Sequence, residues 1–169
     1  VLYQLEHVQI PKFRELMREG GQLFLVQDYV EGSTYRSLLQ SRQDYGGYFS
    51  ETEVTQLLYQ LLPVLDYIHN LDIIHRDISP ENLILRSQDG RPVLIDFGSV
   101  KQIAATVEQE LASESNKTRI GKAGYVPPEQ FQSGSVDATS DLYALAATLV
   151  VLATGKEPQE LYDMYEGVW

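Results

Sequence analysis

Three side chains bearing oxygen donors stand at spacings that could bring them to one place: Asp77, Asn82 and Asp96. Asp77 and Asn82 are five positions apart on one segment, and Asp96 lies fourteen beyond Asn82, across a predicted hairpin. A hairpin of that length returns the chain to where it started, so the three groups can converge. Carboxylate and carboxamide oxygens are hard donors that suit magnesium. A further carboxylate beside such an ion can accept the proton of an attacking hydroxyl, and phosphoryl transfer needs both parts.

The elements that must hold these groups can be read from the hydrophobic pattern. Leu83–Arg86 and Pro92–Asp96 read as short apolar strands around a turn at Ser87–Gly90. Upstream, Ser50 and Glu53 form a capping box, and Val54, Leu57, Leu58, Leu61, Leu62, Leu65 and Ile68 follow at helical spacing. Pro63 falls inside that run and predicts a kink or local distortion. Ser140–Gly155 reads as a second helix ended by glycine. Its apolar run Ala144–Ala153 falls short of the ~20 residues a bilayer demands, so a buried helix is expected. Nearer the start, Lys12–Met17 and Gln22–Val30 read as strands joined by a turn at Arg18–Gly21. Glu31-Gly32-Ser33 reads as a break, Tyr35–Gln40 as a short helix and Asp44–Tyr48 as loop. Gln102–Lys122 is polar and aperiodic, the composition of a mobile surface loop.

A chain of 169 residues with 43% hydrophobic content can build one well-cored domain. Its net charge of −11, from 13 basic and 24 acidic side chains, repels phosphate backbones and anionic lipid. Nucleic acid and membrane surfaces are therefore not expected as partners. The absence of cysteine excludes disulfides, thiolate catalysis and cysteine-bound zinc, and is compatible with a cytoplasmic setting. Val1–Leu5 lacks the basic start and apolar stretch of a signal peptide.

The segment His75-Arg76-Asp77-Ile78-Ser79-Pro80-Glu81-Asn82 resembles the catalytic loop of the eukaryotic-type serine/threonine protein kinases. Asp96-Phe97-Gly98 resembles their metal-binding triplet, and Tyr125-Val126-Pro127-Pro128-Glu129 resembles the end of their activation segment. Asp141-Leu142-Tyr143 resembles the start of the buried helix that anchors the large lobe. A lone H-x-D-x-x-x-x-N is shared with small-molecule phosphotransferases. Four motifs in family order at family spacing, covering nearly the whole chain, are far more specific.

The resemblance implies ATP and Mg2+ as cofactors and a protein as substrate. Asp77 would orient the substrate hydroxyl as catalytic base, while Asn82 and Asp96 would hold magnesium. Arg76 would grip a phosphorylated side chain of the activation loop through paired hydrogen bonds, with Thr106, Ser113, Ser115 and Thr118 as available acceptors. His75 and Phe97 would pack in the interior, and His7 and His69 are read as structural. The strand from Leu23 to Val30 resembles the one leading into the interlobe hinge. Gln27 would take the gatekeeper position, the backbone groups of Asp28 and Val30 would meet the adenine edge, and Ile84 would floor the ring.

Two departures from the family pattern bear on catalysis. Ser79 stands where the family usually places a lysine that neutralises the transferring phosphate, and Lys122 stands where its serine/threonine members usually place threonine. Those two family side chains lie against each other beside the catalytic aspartate. The lysine is therefore expected to have changed places, with Lys122 supplying the charge that Ser79 cannot. Pro80-Glu81 resembles the serine/threonine branch, and Pro127-Pro128-Glu129-Gln130 resembles bacterial members. Ala146 replaces a glycine common in the buried helix.

The expected fold is α+β, a protein-kinase-like arrangement. Residues 1–30 would be the end of the small β lobe with the hinge strand, and 31–169 a mainly helical large lobe lacking its last helices. The glycine-rich loop, strand lysine and helix glutamate that clamp ATP in the family are not in these 169 residues, and Val1–Leu5 resembles the end of the helix carrying that glutamate. An arginine partner for Glu129 is likewise missing, so the piece alone is expected to be inactive. Two alternatives remain open. A pseudokinase scaffold is favoured by Ser79 and opposed by intact Asp77, Asn82 and Asp96. A small-molecule phosphotransferase is opposed by the segment Tyr125–Glu129, which builds a protein-docking surface.

Overall fold

After a short 3-10 turn at Leu2–Gln4, two antiparallel strands form a hairpin, β1 (Phe13–Glu19) and β2 (Gln22–Gln27), with Phe13 opposite Gln27. The computed structural model describes residues 2–20, 22–97, 122, 124–127, 136–163 and 169. β2 stops at Gln27 rather than at Val30, because its partner strand begins opposite that residue. Beyond it only the Asp28 N–H reaches across, to the Lys12 carbonyl at 2.9 Å. Asp28 and Val30 thus leave the sheet.

Where a break was expected, Gly32–Thr34 forms a strand, β3, antiparallel to β4 (Leu83–Arg86), which in turn pairs with β5 (Pro92–Leu94). Gly32 permits that approach, since a Cβ there would sit 2.2 Å from the Leu85 carbonyl oxygen. Helix α1 (Tyr35–Gln43) begins directly after β3, three residues longer than expected, with Thr34 accepting from the Ser37 N–H at its start.

Helix α2 (Glu51–His69) carries the anticipated capping box of Ser50 and Glu53. It runs unbroken through Pro63. The proline deprives the Tyr59 carbonyl of a donor, but both residues are exposed, so water can take that place. Helix α3 (Ala138–Thr154) starts two residues earlier than expected, because Asp137 caps it by accepting from the Thr139 N–H at 2.8 Å. It ends where Gly155 turns left-handed at φ 70°. A short helix, α4 (Pro158–Leu161), comes last.

The core lies between α2 and α3. Leu57, Leu61, Val64, Leu65 and Ile68 pack on Ala144, Leu145, Ala147, Val151 and Leu152, all buried. Leu62, part of the expected stripe, faces outward instead. Among the described residues no helix is long and apolar enough to cross a membrane. These helices frame the loop from His69 to Leu83, and the two small sheets deliver its neighbours.

Candidate active site

The loop between α2 and β4 is organised by a carboxylate from another helix. Asp141, fully buried in the first turn of α3, accepts through Oδ2 from the His75 N–H at 2.8 Å and His69 Nε2 at 2.9 Å. Its Oδ1 accepts from the Arg76 N–H at 2.9 Å. A buried charge is tolerated only when hydrogen bonds satisfy it, and here three donors do so. These bonds also hold Arg76 at φ 70°, a left-handed backbone that costs a non-glycine residue roughly 1–2 kcal/mol. That turn sets the direction in which the chain enters Asp77.

His75 is buried and neutral, since burial pushes its pKa down. Its Nδ1 accepts from the Asp77 N–H at 3.3 Å, so Nε2 carries the proton and donates to the Ile95 carbonyl at 3.0 Å. The ring lies 4.5 Å from that of Phe97, which meets Phe13 of β1 edge-on at 5.6 Å. His75 and Phe97 are therefore interior struts, as expected, and join the hairpin to the loop ahead of β4. His7, which accepts from the Gln9 N–H and lies against Tyr67, is structural too.

Asn82 knits the convergence. Its Nδ2 donates to the Asp77 carbonyl at 2.6 Å, its N–H donates to the Ser79 carbonyl at 3.0 Å, and its own carbonyl accepts from the Ile95 N–H at 3.0 Å. With Nδ2 committed, Oδ1 is the atom left to face a cation. Asp96 comes directly after Ile95, in the left-handed region at φ 59°, and is exposed. Bonds through Asn82 thus tie the loop backbone at Asp77 to the strand end at Ile95, next to Asp96. Among the described residues no three His, Cys, Asp or Glu side chains form a metal cage of their own. Magnesium rarely needs one, because it binds through one or two carboxylates and completes its shell with water and substrate phosphates.

A chain of charges runs beside the loop. Glu81 Oε1 receives Lys122 Nζ and Arg36 Nε, each at 2.7 Å. Arg36 also reaches Glu157 Oε1 at 2.7 Å and the Tyr125 hydroxyl at 3.2 Å. Burial pushes the Glu81 carboxyl up, but the bonds from Lys122 and Arg36 outweigh it and hold the pKa at about 2. Lys122 additionally lies over the Tyr125 ring, 4.9 Å from its centroid. Ser79 is buried in the loop interior.

At the other edge, Gln27 ends β2 with its Oε1 shut off from solvent and without a hydrogen-bond partner among the described residues. The Asp28 carboxylate is gripped by Arg14 through two bonds of 2.6 and 2.9 Å. Ile84 sits in β4 between Thr34 and Val93, and Val30 lies half-buried past the strand end. The Arg76 Nε is buried and likewise unpartnered among the described residues.

A family model described as "Protein kinase domain" matches residues 1–166. This chain belongs to the protein kinase family. Its relatives include the serine/threonine-protein kinase PknA of Nostoc sp., 44% identical over 153 residues, covering 90% of this chain and 26% of that protein. Serine/threonine-protein kinase C of Synechocystis sp. is 43% identical, covering 92% of this chain and 28% of that protein. Among solved structures, the kinase domain of M. tuberculosis PknI superposes with a TM-score of 0.70 at 29% identity, over 93% of this chain and 53% of that one. The chain thus spans about a quarter of the length of the curated relatives it matches. Its fold is the α+β protein kinase fold.

In a kinase, the positions expected for the phosphoacceptors Thr106, Ser113, Ser115 and Thr118 fall in the activation segment, and here they lie outside the described residues. So do Gly98 and Glu129, and most of the loop expected over Gln102–Lys122. Sequence reasoning missed two members of the site. Asp141 appeared only as a helix marker, although a lone acid at the buried end of an apolar helix signals a carboxylate with internal work. Arg36 carries no such signal, because its three partners come from distant segments.

Proposed function

We propose that the protein carrying this chain is an ATP- and magnesium-dependent serine/threonine protein kinase acting in the cytoplasm. The observation that supports this reading is the knot around Asn82, whose bonds tie the backbone at Asp77 to that at Ile95, next to Asp96. The residues present suit the cofactors. Asn82 Oδ1 and the Asp96 carboxylate are the hard donors a magnesium ion takes. Gln27 Oε1, without a partner among the described residues, and the backbone beyond β2 suit a nucleobase edge, with Ile84 beneath it. Held by Asn82 and Asp96, magnesium would offset the charge of the phosphates.

Asp77 would orient a serine or threonine hydroxyl and receive its proton as that oxygen bonds to the γ-phosphorus and ADP departs. Arg76, whose buried Nε has no partner among the described residues, would bind an activation-segment phosphate. Lys122 would supply the positive charge that Ser79 cannot, a donor worth ~10²–10³ in rate at a transition state. A pseudokinase scaffold is the second reading. It draws on Ser79 and on the present engagement of Lys122 with Glu81.

The test is transfer from labelled ATP to a generic protein substrate by the protein at its full natural length, with aminoglycoside and sugar acceptors in parallel. Asp77→Asn should lower kcat by ~10²–10⁴ with little change in KM for ATP. Asp96→Asn should raise the magnesium requirement. Absence of transfer by the wild type would favour the scaffold, and transfer confined to small acceptors would overturn the protein-kinase reading.

A further inference from the structure

One carboxylate oxygen holding two cations is an unequal partnership. Arg36 Nε and Lys122 Nζ each lie 2.7 Å from Glu81 Oε1, so the two nitrogens are within twice that distance of each other and repel. The second oxygen, Oε2, is buried and has no hydrogen-bond partner among the described residues. Arg36 is fixed on every side. Its backbone N–H donates to the Pro80 carbonyl at 2.9 Å, its guanidinium reaches Glu157 and Tyr125, and its side chain is only 17% exposed. Among the described residues Lys122 has a single hydrogen bond beside its contact with the Tyr125 ring, a flexible four-carbon stem and a side chain 39% exposed. One cation is bolted down and the other is free to leave.

The charges make departure inexpensive. A partly buried carboxylate with one cation would grip it, because losing it strands an unpaired charge. Glu81 keeps Arg36 whether or not Lys122 stays. We propose that Glu81 is a resting seat from which Lys122 swings toward Asp77 and Ser79, and that Arg36 is the positioning residue that keeps the seat weak enough to leave. The inference rests on Lys122 being the catalytic cation. It adds the partner that stores this cation and the one that sets its release.

The test is a set of variants in the protein at its full natural length, with two measurements. The first is kcat at saturating substrates. The second is the rate at which acetic anhydride acetylates the Lys122 amine without nucleotide, followed by mass spectrometry. Arg36→Met should slow both by about three- to tenfold, because removing the competing cation tightens Glu81 on Lys122. Adding Glu81→Gln to Arg36→Met should restore kcat and speed acetylation beyond wild type. Arg36→Lys should recover most of the loss. In a Lys122→Met background, neither change should move kcat further. If Arg36→Met costs the same factor in that background, or Glu81→Gln deepens the loss, Arg36 is only a structural brace and the proposal fails. A wild-type turnover number for Lys122→Met would instead sink the catalytic reading of Lys122. The acetylation rates would still report whether Glu81 seats it.

Discussion

Asp141→Asn probes the frame of the site without touching the reacting groups. Three donors share the two oxygens of Asp141: the His75 N–H and His69 Nε2 on Oδ2, and the Arg76 N–H on Oδ1. Asparagine keeps one oxygen and puts an NH2 where the other was. The best arrangement keeps the oxygen beneath His75 and His69, and leaves the Arg76 N–H facing another donor. An orphaned buried N–H costs about 1–3 kcal/mol, and the two surviving bonds lose their charge assistance at roughly 0.5–1 kcal/mol each. The sum is about 3 kcal/mol. Because Arg76 is held left-handed partly by that bond, its backbone should relax and carry Asp77 with it. A shift of ~1 Å at a catalytic group costs on the order of 10² in rate. The assay is denaturant unfolding of the complete kinase domain beside kcat and KM for ATP, at a temperature where the variant is fully folded. The expected pattern is a stability loss near that value and a large fall in kcat. KM should change little, because the residues proposed to meet the nucleobase, Gln27 to Val30, belong to another segment. A variant within ~0.5 kcal/mol of wild type and with unchanged kcat would refute the idea that Asp141 sets the loop.

Gly32→Ala should destabilise the domain by about 1–3 kcal/mol, because its Cβ would meet the Leu85 carbonyl oxygen at 2.2 Å and force β3 from β4; equilibrium unfolding measures it. Glu81 titrates well below its ordinary value of 4.5, at about 2, so its ion pairs stabilise the fold above pH 4.5 and fade as pH falls toward 2. With the side chain 40% exposed, the effect discounts to about 1–2 kcal/mol, and the stability gap between wild type and Glu81→Gln should close across that window. Thr148→Val should cost less than ~1 kcal/mol, since the buried hydroxyl donates only to the Ala144 carbonyl of its own helix.

Local chemistry made much of this molecule legible. The Ser50 and Glu53 box, the Gly155 stop and the β4–β5 hairpin are written in neighbouring residues, and each is found within a residue or two of its expected place. The tie between the loop at Asn82 and the strand end at Ile95 is the one hairpin geometry calls for. What was not legible depends on partners far along the chain. β3 exists only because β4 arrives some fifty residues later, and Gly32 looked like a break because close approach and chain breaking call for the same residue. Pro63 announced a distortion, yet an exposed proline loses only a bond that water can replace. Lys122 was noticed for its chemistry, but its seat on Glu81 depends on Arg36, which no motif marks.

The bonds from Asp141 to His75 and Arg76 span 66 and 65 positions. A ribosome makes the loop ahead of β4 well before the residue that shapes it. At about 5–20 residues per second, several seconds separate the two events, and a left-handed Arg76 has no carboxylate to hold it in that interval. Until α3 emerges, the backbone at His75 and Arg76 lacks the carboxylate that accepts its two N–H bonds.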